Sequence, residues 1–328
     1  MYLLVTVDTE EDDAWSGGYP PSGQSVRNIE RLPKLQQLCD RHGVRPTYLV
    51  NSPVIDDATS RSVLQTLHAE GRCEIGAHLH AWCDGPHDRD SYDDRTSYLC
   101  NLSEPIQRAK IERLTDKIAS VFGAAPVSFR AGRYGIDHVG LKLLAEFGYT
   151  IDSSVLAFRA CGDHGPDYRD CPWQPYRVSE CDIRMASDEG LIWEAPVSVG
   201  YTRGEQEAAH RLFERLNHPL PRVLKAPSIA RRLGVAAQVK CSPEQSTATE
   251  IIQLFEAYRA AGAETLVVLL HSSSLMPGGS PYARNESEAA EILARVDRVL
   301  THCLSFEGVK GVTLAQLATS LEAQRCAA

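Results

Sequence analysis

The chain opens on Tyr2-Leu3-Leu4-Val5-Thr6-Val7, a run without polar alternation that stops at Asp8-Thr9-Glu10. A segment apolar on both faces and rich in β-branched residues reads as the buried strand of a parallel sheet with helices on both sides. That restricts the chain to an α/β architecture, in which ligand-handling groups collect at C-terminal strand ends. Asp8 and Glu10 lie two residues apart, so they leave an extended backbone on the same side. Two aligned carboxylates repel unless a cation or a proton lies between them, which points to a metal, an acid/base site or both. The competing reading is a solvated acidic loop, since Glu11, Asp12 and Asp13 follow directly.

The rest of the pattern continues this architecture. Val26, Ile29, Leu32, Leu35 and Leu38 recur at helical spacing up to Gly43, and Pro46-Thr47-Tyr48-Leu49-Val50 reads as the next strand. A helix over 61–70, the stretch Cys73-Glu74-Ile75-Gly76, a helix over 104–122, Val127-Ser128-Phe129, a helix over 138–147 and a strand at 149–151 follow. Such alternation predicts parallel strands joined by right-handed crossovers. Residues 157–190, rich in Gly, Pro, Asp and Cys, are expected to form an ordered loop insertion or a pair of short strands. Strand character returns over 191–197, and helices are predicted over 205–217, 222–233 and 247–261. The most apolar strand, Thr265-Leu266-Val267-Val268-Leu269-Leu270, ends at His271. Helices over 286–304 and 314–321 bracket a closing strand at 309–313. With no repeat or flexible linker, the expectation is one catalytic domain over 1–328, carrying a loop-rich insertion at about 157–190 and a helical segment at about 205–261.

Composition narrows the partners. Hydrophobic content of 43% and charged content of 23% are those of a globular protein with a sizeable core. A formal charge of -9 without any Lys/Arg-rich run argues against nucleic acid and anionic membranes, which need clustered cations. No stretch approaches the roughly 20 apolar residues of a membrane span, and no basic segment precedes the first strand, so the expected location is cytoplasmic. The ten cysteines are scattered without a CxxC pair and are expected to be reduced thiols. A small molecule or a glycan is the expected substrate.

Four predicted strands end in groups capable of chemistry: Asp8/Glu10, His78/His80, Arg130 and His271. In a barrel of parallel strands these ends converge on one face. His78 and His80 lie on the same side of an extended segment, and two histidines with one carboxylate, from Glu10 or Asp8, suit catalytic zinc or another divalent metal. Glu194, at another strand end, is read as a binder of substrate hydroxyls or as a structural carboxylate. The aromatics of Gly165-Pro166-Asp167-Tyr168 and Pro172-Trp173-Gln174-Pro175-Tyr176 offer faces for stacking on a sugar, or loop packing.

Val5-Thr6-Val7-Asp8-Thr9-Glu10-Glu11, Glu74-Ile75-Gly76-Ala77-His78-Leu79-His80, Ser128-Phe129-Arg130-Ala131-Gly132-Arg133-Tyr134-Gly135, Asp152-Ser153-Ser154 and Leu269-Leu270-His271-Ser272 together resemble the ordered motifs of NodB-like polysaccharide deacetylases. The resemblance spans Tyr2 to about Leu275. It implies a distorted (β/α) barrel and metal-dependent removal of an N- or O-acetyl group from a sugar. It further implies Asp8 as general base, Glu10 and His78 as ligands of a divalent metal such as zinc, and Arg130 orienting Asp8. His271 would be the general acid, tuned by Asp152, with Leu269 lining the acetyl pocket. Arg133 and Tyr134 are read as lining the sugar site or as capping the following helix. Two departures stand out. Thr9 separates two acids that are usually adjacent aspartates, and Trp82 stands where the usual HxxxH pair has its second histidine, so His80 must be that ligand or His87 must fold back. The rival readings are hydrolysis of another non-peptide amide, a catalytically weak sugar-binding homologue, and a metal-free glycosidase using Asp8 and Glu194.

Overall fold

The computed structural model describes residues 1–12, 14–218 and 237–327. Its centre is a curled sheet built around β1 (Tyr2–Thr9), which pairs in parallel with β2 (Thr47–Val50) on one side and β10 (Thr265–His271) on the other. From β2 the sheet continues through β3 (Glu74–Leu79), β4 (Ser128–Ala131), β5 (Ile151–Asp152) and β7 (Trp193–Glu194), all parallel. The short β6 (Tyr176–Arg177) adds antiparallel to β7. Helices α1 (Leu32–Arg41), α2 (Ser52–Asp56), α3 (Ala58–Ala69), α4 (Glu104–Phe122) and α5 (His138–Glu146) form the crossovers. Side-chain caps set several of their starts: Asp57 accepts from Ser60 N and Asp137 from Gly140 N.

Irregular backbone closes the gap between β7 and β10. Ser198 N donates to Val267 O at 3.3 Å, Val267 N to Ser198 Oγ at 2.9 Å, and Leu269 N to Cys241 O at 2.9 Å. The result is the distorted (β/α) barrel that the family resemblance implies, its parallel strands and crossovers those the alternation predicts. The inward face of β1 changes character along its length. Leu4 lies in an apolar layer with Leu49, Ile151, Ala195 and Val267, which the last helix, α9 (Leu314–Ala327), plugs from below with Leu314, Leu317 and Leu321. Each such fully buried side chain contributes about 1.5–3 kcal/mol. Above Leu4 come Thr6, Asp8 and Glu10, so the dry end is at the N-termini of the strands and the polar end at their C-termini.

Residues 157–190 form ordered loops held by the bridges Ala160–Asp167 and Val178–Ala186 and contributing only β6. The stretch 205–261 is not wholly helical. Between α6 (Gln206–Asn217) and α7 (Ala248–Ala260), the polar segment Gln238–Lys240 is a strand, β9, antiparallel to β8 (Val199–Tyr201). The helix expected over 222–233 lies outside the described residues. The closing strand is present as β11 (Lys310–Gly311), paired with the start of β1, and α8 (Glu286–Leu304) precedes it. Among the described residues no helix is long and apolar enough to cross a membrane.

Candidate functional site

Register brings the strand ends together. Asp8 is the Cα partner of His271 across β1 and β10, and His78 that of Arg130 across β3 and β4. They meet at a cavity of about 450 Å³ whose lining includes Asp8, Glu10, His78, His80, Arg133, Tyr134 and His271. Arg130, wholly buried, lies beneath this floor. It donates through Nη1 to Asp8 Oδ1 at 2.6 Å, through Nη2 to Thr6 Oγ1 at 3.0 Å and Ser153 Oγ at 2.9 Å, and through Nε to Ser153 O at 2.7 Å. Burial by itself would raise the Asp8 carboxyl, but Arg130, with His78 and His271, outweighs it and holds the group below its ordinary range.

Glu10, His78 and His80 present three donor atoms to one point. His78 Nε2 and His80 Nε2 are 3.0 Å apart, and Glu10 Oε2 lies 3.3 Å from the first and 3.2 Å from the second. Bonds of about 2.0–2.1 Å at tetrahedral angles place donor atoms roughly 3.3–3.4 Å apart, so the triangle has nearly the size of one tetrahedral face. The tautomers agree, as assigned from the partners. His78 Nδ1 faces Arg130 O at 2.9 Å and His80 Nδ1 faces Glu11 Oε1 at 2.9 Å, so both Nδ1 carry hydrogen and both Nε2 turn lone pairs toward Glu10. Two lone pairs and a carboxylate cannot face each other in a dry site without a cation or an added proton. Glu10 Oε1, moreover, is buried with no hydrogen-bond partner. The residues present therefore fit a divalent cation.

Glu11, absent from the sequence-derived site, makes the unusual histidine spacing workable. Its carboxylate accepts from His80 Nδ1, from Trp82 Nε1 at 3.0 Å and from Asn51 Nδ2 at 2.6 Å, while the Trp82 ring stacks on His80 with centroids 4.1 Å apart. Asp84 pins the same turn by accepting from His80 N at 2.6 Å and Ser52 N at 2.7 Å. Gly132 leaves room for the ring, since a Cβ there would meet His80 Cδ2 at 2.3 Å. Glu11, His80 and Cys83 also lie within ligand distance of one another. Burial and the neighbouring Glu11 carboxylate raise the Cys83 thiol, however, and Glu11 is already committed to three donors, so the set with Glu10 is the better cation site. Burial would lower His80, but Glu11 and Glu10 outweigh it and raise it well above the ordinary imidazole value. Proton and cation then compete for one lone pair. Glu11→Gln is expected to weaken zinc binding about 10–100-fold, the scale of losing such an outer partner; titration with a competing chelator measures it, and an unchanged affinity would remove Glu11 from the site.

His271 has a different partner from the one expected. Its Nδ1 faces Glu244 Oε2 at 2.9 Å and its backbone N donates to Glu244 Oε1 at 2.8 Å, while Nε2 turns to the cavity, 3.7 Å from Asp8 Oδ2. Burial would lower the imidazole, but the carboxylates of Glu244, Glu10 and Asp8 outweigh it and push it up to about 9. Asp152 instead accepts from Ser154 Oγ at 2.7 Å and is the register partner of Glu194. Both carboxyls are wholly buried and, next to the inward-facing Ile151 and Ala195, leave the opposite face of the sheet. Burial and then the Asp152 charge raise Glu194 well above the carboxylate range, and its Oε1 accepts from Val155 N at 3.0 Å. Neither lines the cavity, and Glu194 cannot meet substrate hydroxyls or pair with Asp8 as a glycosidase would need.

Three further expectations are corrected by burial. Leu269 shares the inward face of His271 but is fully enclosed; the leucine on the cavity wall is Leu156. The aromatics of the insertion pack into it, with Tyr168 OH donating to Tyr134 O at 2.6 Å and Tyr176 OH to Ile183 O at 2.6 Å. The rings at the cavity are Trp15, Tyr19, Trp82, Tyr98 and Tyr134, and Trp15 meets His271 edge-on with centroids 4.8 Å apart. His87 belongs to a separate groove of about 840 Å³ with Arg113 and Lys117, and its Nδ1 lies 3.3 Å from Tyr92 OH.

No protein-family model matches the chain, and no curated protein sequence matches it significantly. Solved structures share its fold. A protein of Mycobacterium smegmatis assigned as a polysaccharide deacetylase matches over 99% of this chain and 91% of its own at 18% identity, with a TM-score of 0.54. One of Pseudomonas aeruginosa PAO1, assigned likewise, matches over 98% and 91% at 14% identity, TM-score 0.53. Puue allantoinase matches over 98% and 90% at 14% identity, TM-score 0.52. The chain thus has the fold of the NodB-like polysaccharide deacetylases.

Proposed function

We propose that this chain, acting as one catalytic domain, is a metal-dependent hydrolase that removes an acetyl group from an acetamido sugar or related glycoside. The carrying observation is the placement, around one cavity, of the Glu10/His78/His80 triangle, the Arg130-bound Asp8 carboxylate and the Glu244-bound His271. A bound divalent cation, zinc by its nitrogen and oxygen donors, supplies Lewis-acid polarisation of the acyl carbonyl and a more acidic water. The chain's own groups move the protons. Asp8, kept ionised by Arg130, takes the proton of the attacking water through Oδ2. As the carbon–nitrogen bond breaks, His271 Nε2 gives its proton to the leaving nitrogen, and Glu244 stabilises the imidazolium beforehand. Acetate and a free amine leave. Trp15 and Tyr19 supply faces for a sugar ring. The ten cysteines are all free thiols, which suits the cytoplasm.

The similar TM-score to an allantoinase favours one second reading, hydrolysis of another non-peptide amide by the same groups. Release of acetate from acetylated sugars, compared with turnover of simple linear and cyclic amides by the zinc-loaded protein, separates the two. If neither class is turned over, the hydrolase reading fails.

The pH profile reports the acid. His271 must be protonated, and its value is raised to about 9, so kcat/KM is expected to hold through neutral pH and fall as pH rises through about 9. Glu244→Gln removes the first of the carboxylates that raise it, so the alkaline limb moves to lower pH. A limb that stays in place in the variant would show that Glu244 does not tune the acid.

A further inference from the structure

Arg159 and Lys240 line the same cavity as the strand-end groups, and the proton transfers above leave them unused. Lys240 is 5% exposed; its Nζ donates to Tyr134 OH at 2.8 Å and sits 4.9 Å from the centre of that ring. Arg159 Nε donates to Gln238 Oε1 at 2.9 Å, and Gln238 shares one face of β9 with Lys240. Among the described residues neither cation has a carboxylate within 4.0 Å. The nearby acids are committed elsewhere, Asp8 to Arg130 and Glu244 to His271. Residues 219–236, which lead into β9, contain no Asp or Glu at all. The third cation at the cavity differs: Arg133 pairs with Asp94 at 2.8 Å and lies over the Tyr98 ring at 4.1 Å.

Among the described residues Lys240 has no counter-ion in contact, which is costly for a buried cation, and burial pushes it down to about 8. The backbone holds this wall in place against strain. Arg133, Tyr134 and Phe158, with φ of 55°, 63° and 66°, are the non-glycine residues with positive φ among those described. Tyr134 holds Lys240; Phe158 precedes Arg159, and its carbonyl accepts from Gln238 Nε2 at 3.2 Å. Such backbone persists where the surroundings enforce a particular side-chain placement.

We propose that Lys240 and Arg159 form an anion subsite, so that the substrate carries a carboxylate or a phosphate beside its scissile acyl bond. The second clause rests on the hydrolase reading; anion binding itself does not. Calorimetric titration of the zinc-loaded full chain with D-glucuronate, D-glucose 6-phosphate and D-glucose tests it and tells the two anions apart. At least one acidic sugar is expected to bind about tenfold or more tighter than glucose, the scale of one charge-assisted contact. Lys240→Met, which replaces a buried ammonium by an apolar chain of similar length, and Arg159→Gln should each abolish that preference at unchanged zinc content, with Lys240→Arg restoring part of it. Equal binding of acidic and neutral sugars overturns the proposal. So does a preference that survives both Lys240→Met and Arg159→Gln, including one that depends only on zinc. Because acetate release is not read, failure of the hydrolase reading would leave this result standing, and the reverse holds too.

Discussion

Asp8→Asn lowers kcat about 10²–10⁴-fold while zinc content stays at the parental level, the range set by losing a positioned general base. The geometry separates these two readouts. Asp8 is held by Arg130 at 2.6 Å and faces His271, whereas the triangle of donor atoms comes from Glu10, His78 and His80. An asparagine keeps an oxygen acceptor for Arg130 Nη1 but cannot take a proton from water. The variant also leaves the wholly buried guanidinium without its counter-charge, and removing one partner of such a pair costs about 3–5 kcal/mol of stability, less whatever the amide oxygen retains. Thermal melting beside kcat and metal analysis therefore distinguishes a folded, zinc-loaded, inactive protein from an unfolded one. A folded variant with parental kcat would end the assignment of Asp8 as base.

His78→Ala empties one corner of the donor triangle. The expected result is a loss of zinc affinity well beyond the roughly 10–100-fold of an outer-partner change, and loss of activity with it. A readout that needs no substrate is available. Zinc at about 100 times its Kd stabilises a protein that binds it only when folded by about 2.7 kcal/mol, so the parental Tm rises on zinc addition and that of His78→Ala should not. Chelation of the parent should reproduce the lower Tm. An equal zinc-dependent rise in both proteins would place the cation elsewhere and undo the reading of Glu10, His78 and His80 together.

The sequence-derived site was legible where chemistry coincides with the end of a long, regular strand. Asp8, His78, Arg130 and His271 close or nearly close strands of four to eight residues, and strand pairing alone carries such ends to one rim. Asp152 and Glu194 look the same in sequence but sit in two-residue strands next to Ile151 and Ala195, which face the barrel interior, so both carboxyls leave the opposite face of the sheet. Their register partnership sets two wholly buried carboxyls side by side away from the cavity, where burial raises both. Which face a residue of a two-residue strand takes is set by pairing, which no local pattern states. Glu244 escaped detection because it follows β9, a three-residue polar strand with no apolar period to announce it. Glu11 was in view as part of the acidic run, but its use depends on Trp82, Asn51 and His80, 40 to 71 residues away.

The alternation of apolar runs and amphipathic helices determined a parallel α/β sheet and the end at which its polar groups would lie, because side-chain periodicity and parallel pairing are local consequences of residue order. Which strand end holds a cation, which carboxylate serves His271 and which acids are sealed away from the cavity were decided only in the folded structure. Those assignments turn on separations of a few ångströms between residues that the chain keeps far apart, and on burial that only the completed packing imposes.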